Sequence, residues 1–213
     1  FGGPKASNEY AVGHAWAMGT PFQFAKQFAS HLGGIRNPVI VTWPKRITDR
    51  GGLRSQFHHV TDVVPTIYEA AGVPAPRTVN GFTQMPIHGT SMVYTFADAK
   101  VPSARKTQYF EIMGTRGIYH DGWLASTFHN KIAWAPRKQP AFDDDRWELY
   151  HVAEDFSECH DVAGDHPERL RELQELWWAE AGRHQVLPLN NQPGRFGDRR
   201  FRRDRYVYHA GIG

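Results

Sequence analysis

The sequence predicts an α/β protein in which a strand and a helix are followed by a small antiparallel sheet packed with a C-terminal helix. Three observations carry this expectation. A β-branched apolar run, Val39-Ile40-Val41-Thr42-Trp43, precedes a stretch with helical spacing of apolar residues. Short alternating segments after Thr107 are punctuated by Asp121-Gly122, a strong hairpin signal. Leu170, Leu173, Leu176, Trp177 and Ala181 then recur every three to four residues, as on one face of a helix.

Taken in order, the first element is a buried strand over 39–43, preceded by the Gly33-Gly34 break and stopped by Pro44. Val60, Val63, Val64, Ile67, Tyr68 and Ala71 predict a helix that Gly72 caps and Pro74 follows, with Pro65 tolerated near its first turn. Residues 73–104, rich in Pro, Gly, Thr and Asn, read as a long surface excursion. Strands are expected over 107–113, 117–120, 123–128 and 147–150, and a helix over 167–184 begun by Asp165 and Pro167. The division that follows is 1–104 for the strand, helix and excursion, 105–190 for the small sheet and helix, and 191–213 for an Arg-rich, mobile tail.

Composition removes several classes of function. With 213 residues, 40% of them apolar, the chain can bury a core, and its one cysteine, Cys159, excludes an internal disulfide. No run approaches the ~18 to 20 apolar residues of a membrane-spanning helix. The net charge of +3 conceals three blocks: +8 over residues 1–140, −9 over 141–194 and +4 over 195–213. A basic first section suits an anionic substrate, whereas no aromatic-and-basic motif or paired-Cys zinc site supports nucleic-acid binding. The chain opens on Phe1-Gly2-Gly3-Pro4, without an initiating Met or signal segment, and reads as a fragment.

The succession of segments is more specific than any one of them. Lys26-Gln27-Phe28-Ala29-Ser30-His31-Leu32-Gly33-Gly34-Ile35-Arg36-Asn37-Pro38 leads into the run ending in Trp43-Pro44, then into the helix from His58 to Pro74. Gly89-Thr90-Ser91 follows, then the hairpin from Arg116 to Trp123 and the segment from Trp147 to Ala163. This order, over residues 1 to about 190, resembles the C-terminal half of arylsulfatases in the alkaline-phosphatase-like superfamily, and the resemblance implies that residues 1–104 are the end of that superfamily's mixed-sheet domain.

The resemblance implies hydrolysis of a small-molecule sulfate monoester by a formylglycine nucleophile, made from Cys or Ser in a C-x-P-x-R or S-x-P-x-R motif. No such motif occurs here, since Cys159 is followed by His160-Asp161-Val162-Ala163. One Ca²⁺ (or Mg²⁺) is implied as well, bound by acidic and amide oxygens upstream, with no ligands expected in this chain. Lys26 occupies the position whose ammonium, in relatives, donates to the sulfate oxygens, a task suited to a compact point charge. Read without the resemblance, Lys26 is a surface lysine beside an apolar face formed by Phe24, Phe28 and Leu32.

Four other groups enter as candidates. Arg36 could reach an anion or brace its loop. His14 and His31 flank the Lys26 segment and could serve as general acid to the leaving alcohol, or line the pocket rim. His58-His59 with Asp62 imitates a metal cluster, but adjacent histidines diverge by about 100° on a helix, and His59 with Asp62 suits a helix N-terminal hydrogen bond. Asp143-Asp144-Asp145 lacks the spacing of a calcium loop and reads as a solvated acidic loop. The rival activities on the same scaffold are a phosphodiesterase or phosphonate monoester hydrolase; the rival from another class is a noncatalytic, anion-binding sulfatase-like protein.

Overall fold

The computed structural model describes residues 11–129 and 140–190. The Arg-rich tail lies outside the described residues. The chain forms two compact units, one of residues up to Arg36 together with those from Tyr109 onward, the other of Asn37–Gln108.

In chain order, the first unit begins with α1 (Val12–Gly19) and the single helical turn α2 (Leu32–Ile35). In the second unit, a 3₁₀ turn over Val60–Asp62 runs into α3 (Val63–Ala71), which Gly72 ends in the left-handed conformation at φ 66°. Pro65 is the third residue of α3, where its missing N–H leaves no intrahelical bond unmade. The short ribbon β1 (Thr78–Val79) and β2 (Phe82–Thr83) interrupts the otherwise irregular and exposed 73–88 segment. The expected strand over 39–43 is not formed: these residues have no strand conformation, and Val39 and Ile40 are 63% and 92% exposed. A strand needs a neighbour to take up its backbone groups, and among the described residues this run pairs with none.

The second unit is organised around Asp62, whose side chain is fully buried. Its carboxylate accepts the backbone N–H groups of His59 (2.9 Å) and Thr90 (2.7 Å) and two arms of the Arg105 guanidinium. Burial alone would raise this carboxyl, but the His58 ring 3.6 Å away and the hydrogen bonds from Arg105 and the two backbone amides outweigh it and hold the group well below the usual carboxylate range. His59 and Asp62 thus form the N-terminal hydrogen-bond pair that their spacing allowed, with His59 as the capping residue.

The four-stranded sheet has the order β3-β4-β5-β6, with β3 (Thr107–Ile112), β4 (Thr115–His120), β5 (Trp123–Thr127) and β6 (Trp147–Tyr150). Asp121 and Gly122 join β4 to β5 with φ values of 45° and 90°, the double positive φ of a two-residue hairpin turn. The helix α4 (Pro167–Arg183) has Pro167 at its first position and His166, not Asp165, as N-cap. Because side chains alternate across a strand, Ile118, Ala125 and Leu149, which are in register, share one face. That face buries against Leu173, Trp177 and Ala181 of α4, at i, i+4 and i+8. Burying each large aliphatic side chain there contributes about 1.5–3 kcal/mol. Trp177 also donates Nε1–H to the carbonyl of Phe110 at 3.1 Å, so its one polar atom is not stranded.

At one end of the sheet Arg116 is buried under the rings of Phe142, Trp147, Trp177 and Trp178, its Cζ 5.2–5.7 Å from their centroids. It is paired with Asp145, which also accepts from Nδ1 of His129 at 2.8 Å. Asp145 is therefore a buried counter-ion, whereas the acidic run was expected to be solvated; Asp143 and Asp144 are exposed as expected. The arginine supplies the reason, since a buried guanidinium needs a carboxylate beside it.

Candidate active site

The opposite sheet face carries Gly117, Ser126 and Glu148 in one register row, with Tyr150 two residues along β6. Residues 22–31 lie toward this side, as a chain of turns. Phe24 and Gln27 have φ values of 60° and 83°, which excludes a helix through Lys26, so the helical spacing of Phe24, Phe28 and Leu32 does not report a helical face. Each left-handed non-glycine residue costs ~1 to 3 kcal/mol unless its surroundings hold it there. Here the Phe24 ring is held among Phe28 (5.0 Å), His31 (4.5 Å) and Phe128 (5.3 Å).

Gly33 and Gly34 explain how this segment can fold back on α2. A Cβ on Gly33 would lie 2.2 Å from the Gln23 carbonyl oxygen, and one on Gly34 would lie 1.9 Å from that of Phe28. Only glycine admits such an approach, and Gly33 N–H uses it to donate to the Gln23 carbonyl at 3.0 Å. Glu158, from the loop after β6, ties down the same segment. Its carboxylate accepts Leu32 N–H at 2.9 Å, and its backbone carbonyl accepts from Gln23 Nε2.

Within this frame the candidate residues divide. Lys26 is exposed, and its ammonium makes no hydrogen bond or ion pair with another described residue. His31 is buried beneath the same segment, with Nδ1 2.8 Å from Ser30 Oγ and Nε2 3.5 Å from Glu148 Oε2. Both ring nitrogens are thereby engaged inside the protein. The hydrogen bond from His31 lowers the Glu148 carboxyl against the opposing effect of burial, and burial beside Glu148 raises the Tyr150 phenol. Tyr150 OH reaches Glu148 Oε2 at 3.2 Å, so the half-buried Glu148 links the buried His31 and Tyr150. Arg36 follows α2 and places its Cζ 4.8 Å from the Phe22 ring centroid, bracing the loop through an aromatic face. His14 is exposed on α1, a helix with no buried residue, and its side chain contacts none of the other candidates. Lys26, His31 and Arg36 are thus gathered on one folded-back segment, and His14 is not.

Sequence reasoning did not single out Glu148 or Glu158. Both sit in an acidic stretch where nothing in the sequence distinguishes them from Glu154 or Asp155, because what sets them apart is contact with His31 and Leu32, more than 100 residues away in the chain. The described residues do not fit a divalent-metal site: no group of three or more His, Cys, Asp or Glu side chains converges, and Asp62 is already surrounded by donors.

Residues 22–180 match the family of the N-sulphoglucosamine sulphohydrolase C-terminal domain. A curated relative, an uncharacterized sulfatase of Schizosaccharomyces pombe, is 30% identical over 170 residues, covering 78% of this chain and 28% of its own length. The chain thus spans less than a third of that relative. Among solved structures, a Bacteroides thetaiotaomicron protein described under the metabolism of multiple glycosaminoglycans superposes with a TM-score of 0.54 at 21% identity, over 71% of this chain and 30% of that one. Ps i-CgsB superposes with a TM-score of 0.52 at 24% identity, over 75% of this chain and 32% of its own. These likenesses show the fold, mixed α/β of the alkaline-phosphatase-like type with antiparallel sheets and a C-terminal helix. The match over 22–180 shows more, and the chain belongs to the sulfatase family, as a member of its N-sulphoglucosamine sulphohydrolase C-terminal group.

Proposed function

We propose that this chain is the C-terminal part of a sulfuric ester hydrolase of the arylsulfatase type, and that Lys26 is its contribution to binding the sulfate group. The observation that carries this reading is an exposed ammonium, without an internal partner among the described residues, on a turn segment that glycine packing and Glu158 fasten on both sides. A cation in that setting is available to an anion without first breaking a salt bridge. As the ester bond breaks, negative charge grows on the nonbridging and leaving oxygens, and a positioned N–H donor stabilises that growing charge more than the ground state. His31, Glu148 and Tyr150 support the segment from beneath, and Arg36 braces its end against Phe22. The formylglycine nucleophile and the divalent metal belong to residues outside this chain in this reading, and no step is routed through them.

The test is product identity. The full-length protein is incubated separately with an aryl sulfate, a phosphodiester and a phosphonate monoester, and the released anion is measured by ion chromatography. Inorganic sulfate release from the sulfate ester in preference to turnover of the phosphorus esters is the expected result. Preferential turnover of the phosphorus esters would assign the scaffold to the rival hydrolase class, and turnover of none would favour the anion-binding protein.

A further inference from the structure

Building on the sulfate-binding role of Lys26, we propose that Glu158 is the positioning residue that sets where the Lys26 ammonium stands. Gln23 and Leu32 bracket Lys26, three residues before it and six after, and both are held by Glu158, which lies 135 and 126 residues away from them in the chain. One residue therefore fixes both ends of the turn segment. Its backbone holds an uncommon conformation to do so, with φ 58°, which aims the carbonyl at Gln23 while the side chain reaches Leu32 N–H.

The side chain is 1% exposed, and its second oxygen, Oε1, is buried with no hydrogen-bond partner among the described residues. A carboxylate kept there is costly. A residue chosen for packing alone would be apolar, so the retained acceptor serves the Leu32 amide. The charged groups facing it are His31, which favours its ionised form, and Asp155 and Glu148, which oppose it. His31 and Glu148 also belong to the set beneath the same segment, so the whole support converges on the turn that bears Lys26.

A double-mutant cycle in the full-length protein separates positioning from general stability. Sulfate release from an aryl sulfate is measured as kcat/KM for Lys26→Ala, Glu158→Ala and the double variant. Glu158→Gln, which keeps an acceptor for Leu32 N–H, is the conservative comparison. Misplacing a catalytic contact by about 1 Å costs up to ~100-fold, so Glu158→Ala is expected to lose about tenfold with Lys26 present and less than about twofold with Lys26→Ala. Glu158→Gln should recover to within about threefold of the parent. Equal losses in both Lys26 backgrounds would overturn the positioning role while leaving the functional reading intact. No loss from Lys26→Ala itself would overturn that reading and this inference with it. Should Glu158→Ala fail to fold, Gln23→Ala removes the other anchor, and its loss must likewise vanish in the Lys26→Ala background.

Discussion

Asp62 and Glu158 are both carboxylates withdrawn from water, one in each compact unit, and the protein treats them in opposite ways. Asp62 is met by an arginine, a histidine and two backbone amides, and its carboxyl is held far below the usual range. Glu158 receives one backbone amide on its side chain, and burial pushes it from an ordinary 4.5 up to about 7. Donor count decides the outcome, because desolvation penalises both anions and only hydrogen bonds and opposite charge repay it. The difference separates a brace from a titratable tether. Asp62 locks the start of α3 to the Gly89-Thr90-Ser91 segment through Thr90 N–H, with a carboxyl that stays ionised near neutral pH. Glu158 holds the segment that bears Lys26 with a group whose charge changes within the physiological range.

The contrast is broken most forcefully at Asp62. Asp62→Asn removes the counter-charge of Arg105, whose side chain is 11% exposed, and breaking one member of such a buried pair costs about 3–5 kcal/mol. Thermal melts should show a larger loss for this variant than for any substitution at Glu158 or Lys26. The sign with pH follows from the lowered carboxyl: its stabilisation is fully present above the ordinary value of 3.8 and is lost as pH falls below it. The penalty of Asp62→Asn should therefore shrink in acid. A penalty independent of pH would mean that the carboxylate charge is not what Arg105 needs.

The same logic with the opposite sign sharpens the account of Glu158. Between pH 4.5 and about 7 the folded protein keeps a proton that the unfolded chain has released, so this group lowers stability as pH rises through that window. Glu158→Gln cannot ionise. Its stability relative to the parent, followed by thermal melts, should rise from pH 4.5 to 7 and then level off, with a gain of about 3 kcal/mol by pH 8. A difference that stays flat across this range would show that Glu158 has an ordinary carboxyl and is not tuned by burial.

What the residues disclosed in advance follows the range of the forces involved. The Asp121-Gly122 hairpin and the spacing of Leu173, Trp177 and Ala181 are local signals, readable because turn conformation and helix periodicity are written within a few residues. Val39 to Trp43 has strand-like composition, yet a strand is a relation between two chain segments, and composition alone does not supply the neighbour. The turns around Lys26 were hidden for a different reason: Phe24 and Gln27 adopt positive φ without being glycine, held by rings distant in sequence such as Phe128. Gly33 and Gly34 were visible as a break but not as the contact surface that lets the segment fold back. Asp145, Glu148 and Glu158 look alike as members of one acidic stretch, and only their contacts with Arg116, His31 and Leu32 give each its task.

The most direct measurement is the steady-state kinetics of Lys26→Ala and Lys26→Arg on a sulfate ester in the full-length protein, with folding verified by thermal melts. Losing one donor to the developing charge costs about 2.7–4 kcal/mol of transition-state stabilisation, so Lys26→Ala should fall a hundredfold to a thousandfold in rate. Arginine should rescue poorly, because a planar fork does not reproduce a compact point donor. A Lys26→Ala protein whose kcat/KM stays within about twofold of the parent, as for a surface substitution worth ~0.5 kcal/mol, would contradict the claim that this lysine meets the sulfate.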